Sequence, residues 1–207
     1  MTAAYDPRSV FLNVPFDRAY EPVFVGLIAA LVHLGKRPTT VLDLDAGAQP
    51  RIDRLLGRIR SCAFSVHDLS RVERSGRGAA RTPRFNMPFE LGLAVAVARG
   101  AHRGKAHGFA LLEARPYRLQ RSLSDMNGYD PMIHGGTREG AARCMFELFS
   151  DTAPADLRRA QRLAGDLAAT ARQLKRDHGV SSLFGRLVFG DLVQAATVLR
   201  ERAAVVM

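Results

Sequence analysis

The chain has 207 residues, 47% hydrophobic and 24% charged, which suits one compact domain with an appendage. Its longest apolar run, Pro22 to Leu34, is too short to span a bilayer, and the start MTAAYDPRS lacks the basic and apolar regions of a secretory signal, so a cytoplasmic protein without membrane contact is expected. Thirty Lys and Arg against twenty Asp and Glu give a formal charge of +10, which turns attention to anionic partners.

In chain order, Ser9 to Asn13 is a short apolar run ending in a polar residue before Pro15, and it predicts a buried first strand. Pro22 to Gly35 predicts a helix, with Phe24, Leu27, Ile28, Leu31 and Leu34 at helical spacing and Gly35 suited to the stop. Thr39 to Leu44 predicts a second strand, and Pro50 to Arg60 a second helix with Ile52, Leu55, Leu56 and Ile59 on one face. Cys62 to Val66 predicts a third strand that stops at His67-Asp68-Leu69-Ser70. The segment Arg71 to Arg84, rich in Arg, Gly and Ala, predicts a mobile loop. Met87 to Arg99 then predicts a third helix, and Gly108 to Glu113 a fourth strand.

This alternation predicts a flavodoxin-like open, mostly parallel sheet with helices on both faces, spanning residues 1–150. Residues 151–207 differ in character. Apolar residues from Leu157 to Leu174 and from Phe184 to Leu199 recur at spacings of three and four, with Gly179 between, and they predict an antiparallel helical hairpin. Its stripes predict packing on the sheet domain or on a second copy, and a homodimer is expected. Cys62 and Cys144 sit in separate apolar settings without metal-ligand spacing, so two buried free thiols are expected, with no metal and no resident cofactor.

In open α/β sheets, ligands bind beyond the carboxyl ends of the strands. Asn13 to Asp17, Asp68 with Ser70, and the turn leading into the third helix should therefore meet in one crevice. The stretch PRFNMPFELG puts one carboxylate, Glu90, into an apolar run stiffened by Pro88 and flanked by Phe89 and Leu91. A carboxylate in a first helical turn also stabilises the macrodipole by roughly 0.3–1 kcal/mol, with Asn86 as a nearby cap. The rigid apolar presentation favours chemistry, because it raises the proton affinity of an acid. Between Arg71 and Arg121 eleven basic residues face three glutamates. A solvated arginine-rich surface accounts for such a run as well as phosphate binding does.

The sequence of Asp68-x-Ser70, a loop, and then Asn86-Met87-Pro88-Phe89-Glu90-Leu91-Gly92 resembles the core pattern of the nucleoside 2-deoxyribosyltransferase-like families and the related bacterial TIR-like proteins. Phe11 to Asp17, read as FLNVPFD, is similar to their first strand and following loop. Ser124 to Asp130, read as SDMNGYD, resembles a late loop in the TIR-like members. The resemblance covers roughly residues 8 to 135, and the basic insertion Arg71 to Arg84 departs from the compact deoxyribosyltransferases. It implies that Glu90 sits at the ribose of a nucleoside or NAD, and a role as an effector in bacterial defence.

Breaking an N-glycosidic bond develops a cation at the sugar, which one carboxylate beneath the anomeric carbon can stabilise or attack. Glu90 is the candidate. A neutral base needs protonation by a second group, for which Asp68 or Asp125 are candidates, whereas the cationic nicotinamide of NAD needs little. Asp68, Ser70 and Asn86 would orient ribose hydroxyls, and Asn13, Phe16, Asp17 and Asp125 complete the expected substrate contacts; loop and helix capping is the competing role for several of them. His67 and His134 read as structural. Two function classes stay open: an enzyme acting on NAD, a nucleotide or a nucleoside, and a noncatalytic module that binds a nucleotide signal or, less expectedly, nucleic acid.

Overall fold

The computed structural model describes residues 4–43, 49–71, 84–100, 106–119, 123–150 and 154–205. Residues 72–83, nearly all of the segment expected to be a mobile loop, lie outside the described residues. Five strands, β1 (Asp6–Asn13), β2 (Arg37–Thr39), β3 (Cys62–Asp68), β4 (Gly108–Glu113) and β5 (Met132–Ile133), form one open parallel sheet in the order β2-β1-β3-β4-β5. This is the flavodoxin-like order. Six helices accompany it among the described residues: α1 (Glu21–His33), α2 (Arg51–Ser61), α3 (Asn86–Arg99), α4 (Arg138–Phe149), α5 (Pro154–Asp177) and α6 (Arg186–Val205).

The expected second strand is where structure and pattern part. Only Arg37–Thr39 pairs in the sheet, while Val41–Asp43 turns into a short 3-10 helix. Local side chains take the backbone groups that a ladder would need: the Thr40 amide donates to Asp43 Oδ2 at 2.9 Å, and the Leu42 amide to Thr40 Oγ1 at 3.0 Å. Thr and Asp compete with secondary structure in this way.

Contacts divide the chain into two compact units, Met1–Pro15 with Thr39–Ile133, and Phe16–Pro38 with His134–Met207. The division thus differs from the expected boundary at residue 150, because α1 groups with the C-terminal helices. In the first unit, Phe11 of β1 and Cys62 of β3 pack with Leu55 and Ile59 of α2 and with Ala94 and Val97 of α3. A second cluster joins Met87 and Leu91 of α3 to Leu111 of β4, Leu69 and Leu119.

In the second unit α1 packs against α4, α5 and α6. Every residue from Val23 to Val32 is buried, as expected for a helix that is apolar all round. The stripe on α5 (Ala160, Leu163, Ala164, Leu167, Ala171) and that on α6 (Val188, Phe189, Leu192, Ala196) are buried too. Both α1 and α5 end in a Schellman arrangement. Lys36 N donates to Leu31 O and Gly35 N to Val32 O, and Val180 and Gly179 repeat the pattern on Lys175 and Arg176. Each needs a left-handed residue at the stop, and Gly35 (φ 70°) and Gly179 (φ 63°) supply it. Cys62 and Cys144 are buried free thiols. Among the described residues no helix is long and apolar enough to cross a membrane.

Candidate active site

β2 lies on one side of β1 while β3, β4 and β5 run to the other, so the strand order reverses at β1 and β3 and a crevice is expected beyond their carboxyl ends. Asn13 ends β1 and stands opposite His67 in register. Its Nδ2 donates to the Met87 carbonyl at 3.1 Å and meets His67 Nδ1 at 3.0 Å. One buried amide thus ties the first turn of α3 to β1 and β3. That tie holds the start of α3 at the carboxyl ends of β1 and β3.

Behind Asn13 runs a buried chain of polar side chains. His67 Nε2 meets Ser65 Oγ at 2.9 Å, Ser65 Oγ meets His107 Nε2 at 2.9 Å, and His107 Nδ1 meets the Cys62 carbonyl at 2.9 Å. The Asn13 Nδ2 group only donates and the Cys62 carbonyl only accepts, so between them the donors run one way: Asn13 N–H to His67 Nδ1, His67 Nε2–H to Ser65, Ser65 O–H to His107 Nε2, and His107 Nδ1–H to Cys62. The chain is complete only with both imidazoles neutral. Burial, helped by the neighbouring His107, lowers the pKa of His67 to about 3, and burial also lowers that of His107. His67 therefore positions Asn13 and does not titrate near neutrality.

Glu90 is the fifth residue of α3, just past the first turn in which the macrodipole reading placed it, and is 8% exposed, while Phe85 and Phe89 beside it are 67% and 58% exposed. No side chain caps this helix: the residue before it is Phe85 in helical conformation, and Asn86 is exposed at the first helical position. Desolvation raises the Glu90 carboxyl from 4.5 to about 7, against a smaller opposite pull from the Arg51 guanidinium. Near neutrality the group is available both as an acid and as a carboxylate, which suits proton transfer or attack on a developing cation.

The other expected site residues are placed as follows. Asp68 ends β3 fully buried, and its Oδ1 accepts the Ser70 amide at 2.8 Å, which shapes the strand-to-loop turn. Ser70 is buried as well, and its carbonyl accepts Arg118 NH1 at 2.9 Å. Asn13, Asp68, Ser70, Asn86 and Glu90 belong to the first unit, at strand ends and at the start of α3. Asp125 is exposed on a 3-10 turn, Ser124–Met126, whose Met126 packs on the cluster of Met87 and Leu91. Phe16 and Asp17 belong to the second unit. There Phe16 stacks on Phe184 at 5.0 Å, and Asp17 precedes the 3-10 turn Arg18–Tyr20, its carbonyl accepting the Tyr20 amide. His134, also in that unit, anchors the turn before α4 by accepting the Gly136 amide on Nδ1.

The sequence pattern does not single out Glu113, Tyr117 or Arg118. Glu113 ends β4 nearly fully buried, with Arg118 NH1 4.0 Å from its Oε2, and Tyr117 between them holds a left-handed backbone (φ 63°) while its ring is exposed. A carboxylate closing the apolar run GFALLE was the signal for Glu113. Among the described residues no group of three or more His, Cys, Asp or Glu could hold a metal ion. No protein-family model, curated protein or solved structure matches the chain significantly, so its function has to be read from the site itself.

Proposed function

We propose that the sheet unit cleaves or transfers the N-glycosidic bond of NAD or of another nucleotide or nucleoside, with Glu90 acting on the anomeric carbon. The observation that carries this reading is a buried carboxylate at the fifth position of an uncapped helix whose first turn is held through Met87 and Asn13 at the point where strand order reverses. Phe85 and Phe89, four residues apart and both exposed, offer aromatic faces on which a base can stack. The resemblance in FLNVPFD and NMPFELG points the same way and adds a role as an effector in bacterial defence.

In the proposed step the bond between base and sugar breaks with its electron pair leaving on the base. Glu90 stabilises or traps the resulting oxocarbenium carbon, and water or an acceptor hydroxyl then adds there and gives up a proton. From NAD, nicotinamide leaves neutral without an added proton. Asp68 is buried and its Oδ1 accepts the Ser70 amide, which favours its structural role and leaves Asp125 as the candidate donor for a neutral base. The test is incubation of the purified protein with NAD, nucleosides and nucleotides, with free base read by chromatography. Base release that falls by about 10²–10⁴ in Glu90→Gln supports the assignment. Saturable binding of these compounds with no base released favours the noncatalytic nucleotide-binding module, and wild-type turnover in Glu90→Gln rejects Glu90 as the catalytic residue.

A further inference from the structure

The second unit holds a cavity of about 530 Å³ at the starts of α1 and α4 and the end of α5. Four cationic side chains line it: Arg18, Arg138, Arg172 and Lys175. Two are already neutralised. Lys175 Nζ lies 2.6 Å from Glu21 Oε2, and Arg138 gives Nε and NH2 to Glu139 Oε1 at 2.9 and 2.6 Å. Both oxygens of Glu21 are engaged, since its Oε1 accepts the Leu183 amide at 3.0 Å. Arg18 and Arg172 make no ion pair or hydrogen bond among the described residues, and both are exposed. The cavity therefore presents two uncompensated guanidinium groups, from the turn before α1 and from α5, above apolar surface from Val25 and Leu183.

We propose that this cavity binds a small organic phosphate monoester with an apolar body. A monoester carries about −1.5 to −2 charge near neutrality, which matches two free guanidinium groups, and the fork of each matches pairs of phosphate oxygens. The volume lies within the range of about 300–1,000 Å³ usual for small-molecule sites, where apolar lining and a few placed polar groups divide the work of affinity and orientation. Concavity and apolar surface distinguish it from a flat basic patch for nucleic acid, whose contacts would be mainly to phosphates. The site lies wholly within the helical unit, so it stands or falls independently of the chemistry proposed for Glu90.

The test is calorimetric titration of the full chain with phenyl phosphate, with inorganic phosphate and a short single-stranded oligonucleotide in separate runs. Phenyl phosphate is expected to saturate one site below about 1 mM and to bind more tightly than inorganic phosphate. Arg18→Ala/Arg172→Ala should weaken it at least about tenfold, and Arg60→Ala, at an exposed position of α2 in the sheet unit, should leave it unchanged. Both arginines are exposed and unpaired among the described residues, so circular dichroism should show the double variant folded. No saturation by phenyl phosphate, equal affinity in the double variant, or binding of the oligonucleotide alone would overturn the proposal.

Discussion

Replacing Glu90 by Gln keeps the shape of the side chain and removes its titration, so it tests directly what burial does to this carboxyl. Folding raises its pKa from 4.5 to about 7, and at 1.36 kcal/mol for each tenfold change in proton affinity this corresponds to about 3 kcal/mol. The folded state holds the proton more tightly than the unfolded chain. The wild type therefore has its full stability below about pH 4.5 and loses it progressively as pH rises through about 7. Glu90→Gln lacks that loss. Urea unfolding followed by circular dichroism should give nearly equal stabilities for the two proteins at about pH 4.5, with the variant more stable by up to about 3 kcal/mol at about pH 8. A partner of the helix dipole behaves in the opposite way, since the charge then helps, and Gln would lower stability by about 0.3–1 kcal/mol at about pH 8. A less stable variant at high pH, or a gap that does not change with pH, refutes the reasoning.

If the ionised form of Glu90 acts at the anomeric carbon, kcat/KM for base release should fall about tenfold per pH unit below about 7 and level off above it; a profile flat between about pH 5 and 8 counts against that role. Asn13→Leu leaves the Met87 carbonyl and His67 Nδ1 without their donor in a buried setting and should cost about 1–3 kcal/mol, measured by urea unfolding, whereas a loss under about 0.5 kcal/mol would show that the clamp is dispensable. Gly26→Ala would place a Cβ 2.3 Å from the Arg138 carbonyl oxygen, where α1 and α4 cross, and should lower stability by about 1–3 kcal/mol; an unchanged thermal midpoint would refute the close approach.

The sheet was legible because its strands are short apolar runs closed by turn residues, and β1, β3 and β4 end at or within two residues of where the pattern stops. Glu90 stood out for a related reason, as a carboxylate where periodicity demands apolar neighbours. The clamp was not legible. Asn13, Met87 and His67 are separated by 54 and 74 positions, and only the parallel register of β1 on β3 brings them together. Ser65 and His67 alternate along β3 and so share a face, which is a readable signal. His107, which completes the chain of donors, lies outside any strand. The expected second strand failed for the opposite reason: Thr40 and Asp43 act within four residues, and a pattern of apolar alternation does not weigh such local bonds.

The helical unit bears on the homodimer expected from its stripes. Spacings of three and four correctly located α5 and α6 but could not say what covers them, because an apolar stripe fits a neighbouring helix and a second copy equally well. Much of the stripe on each helix is buried within the unit, and α1 is buried from Val23 to Val32. Among the described residues of α6, Leu187 remains 72% exposed, with Val198 also exposed eleven positions later on the same face of the helix. A dimer would then form as an isologous contact centred on Leu187. Light scattering at micromolar concentration should give a dimeric mass for the wild type and a monomeric mass for Leu187→Glu, since one buried charge at the centre of a small apolar contact is enough to prevent it. A monomeric wild type, or a dimer that survives Leu187→Glu, rejects this contact, and the first result rejects the homodimer with it.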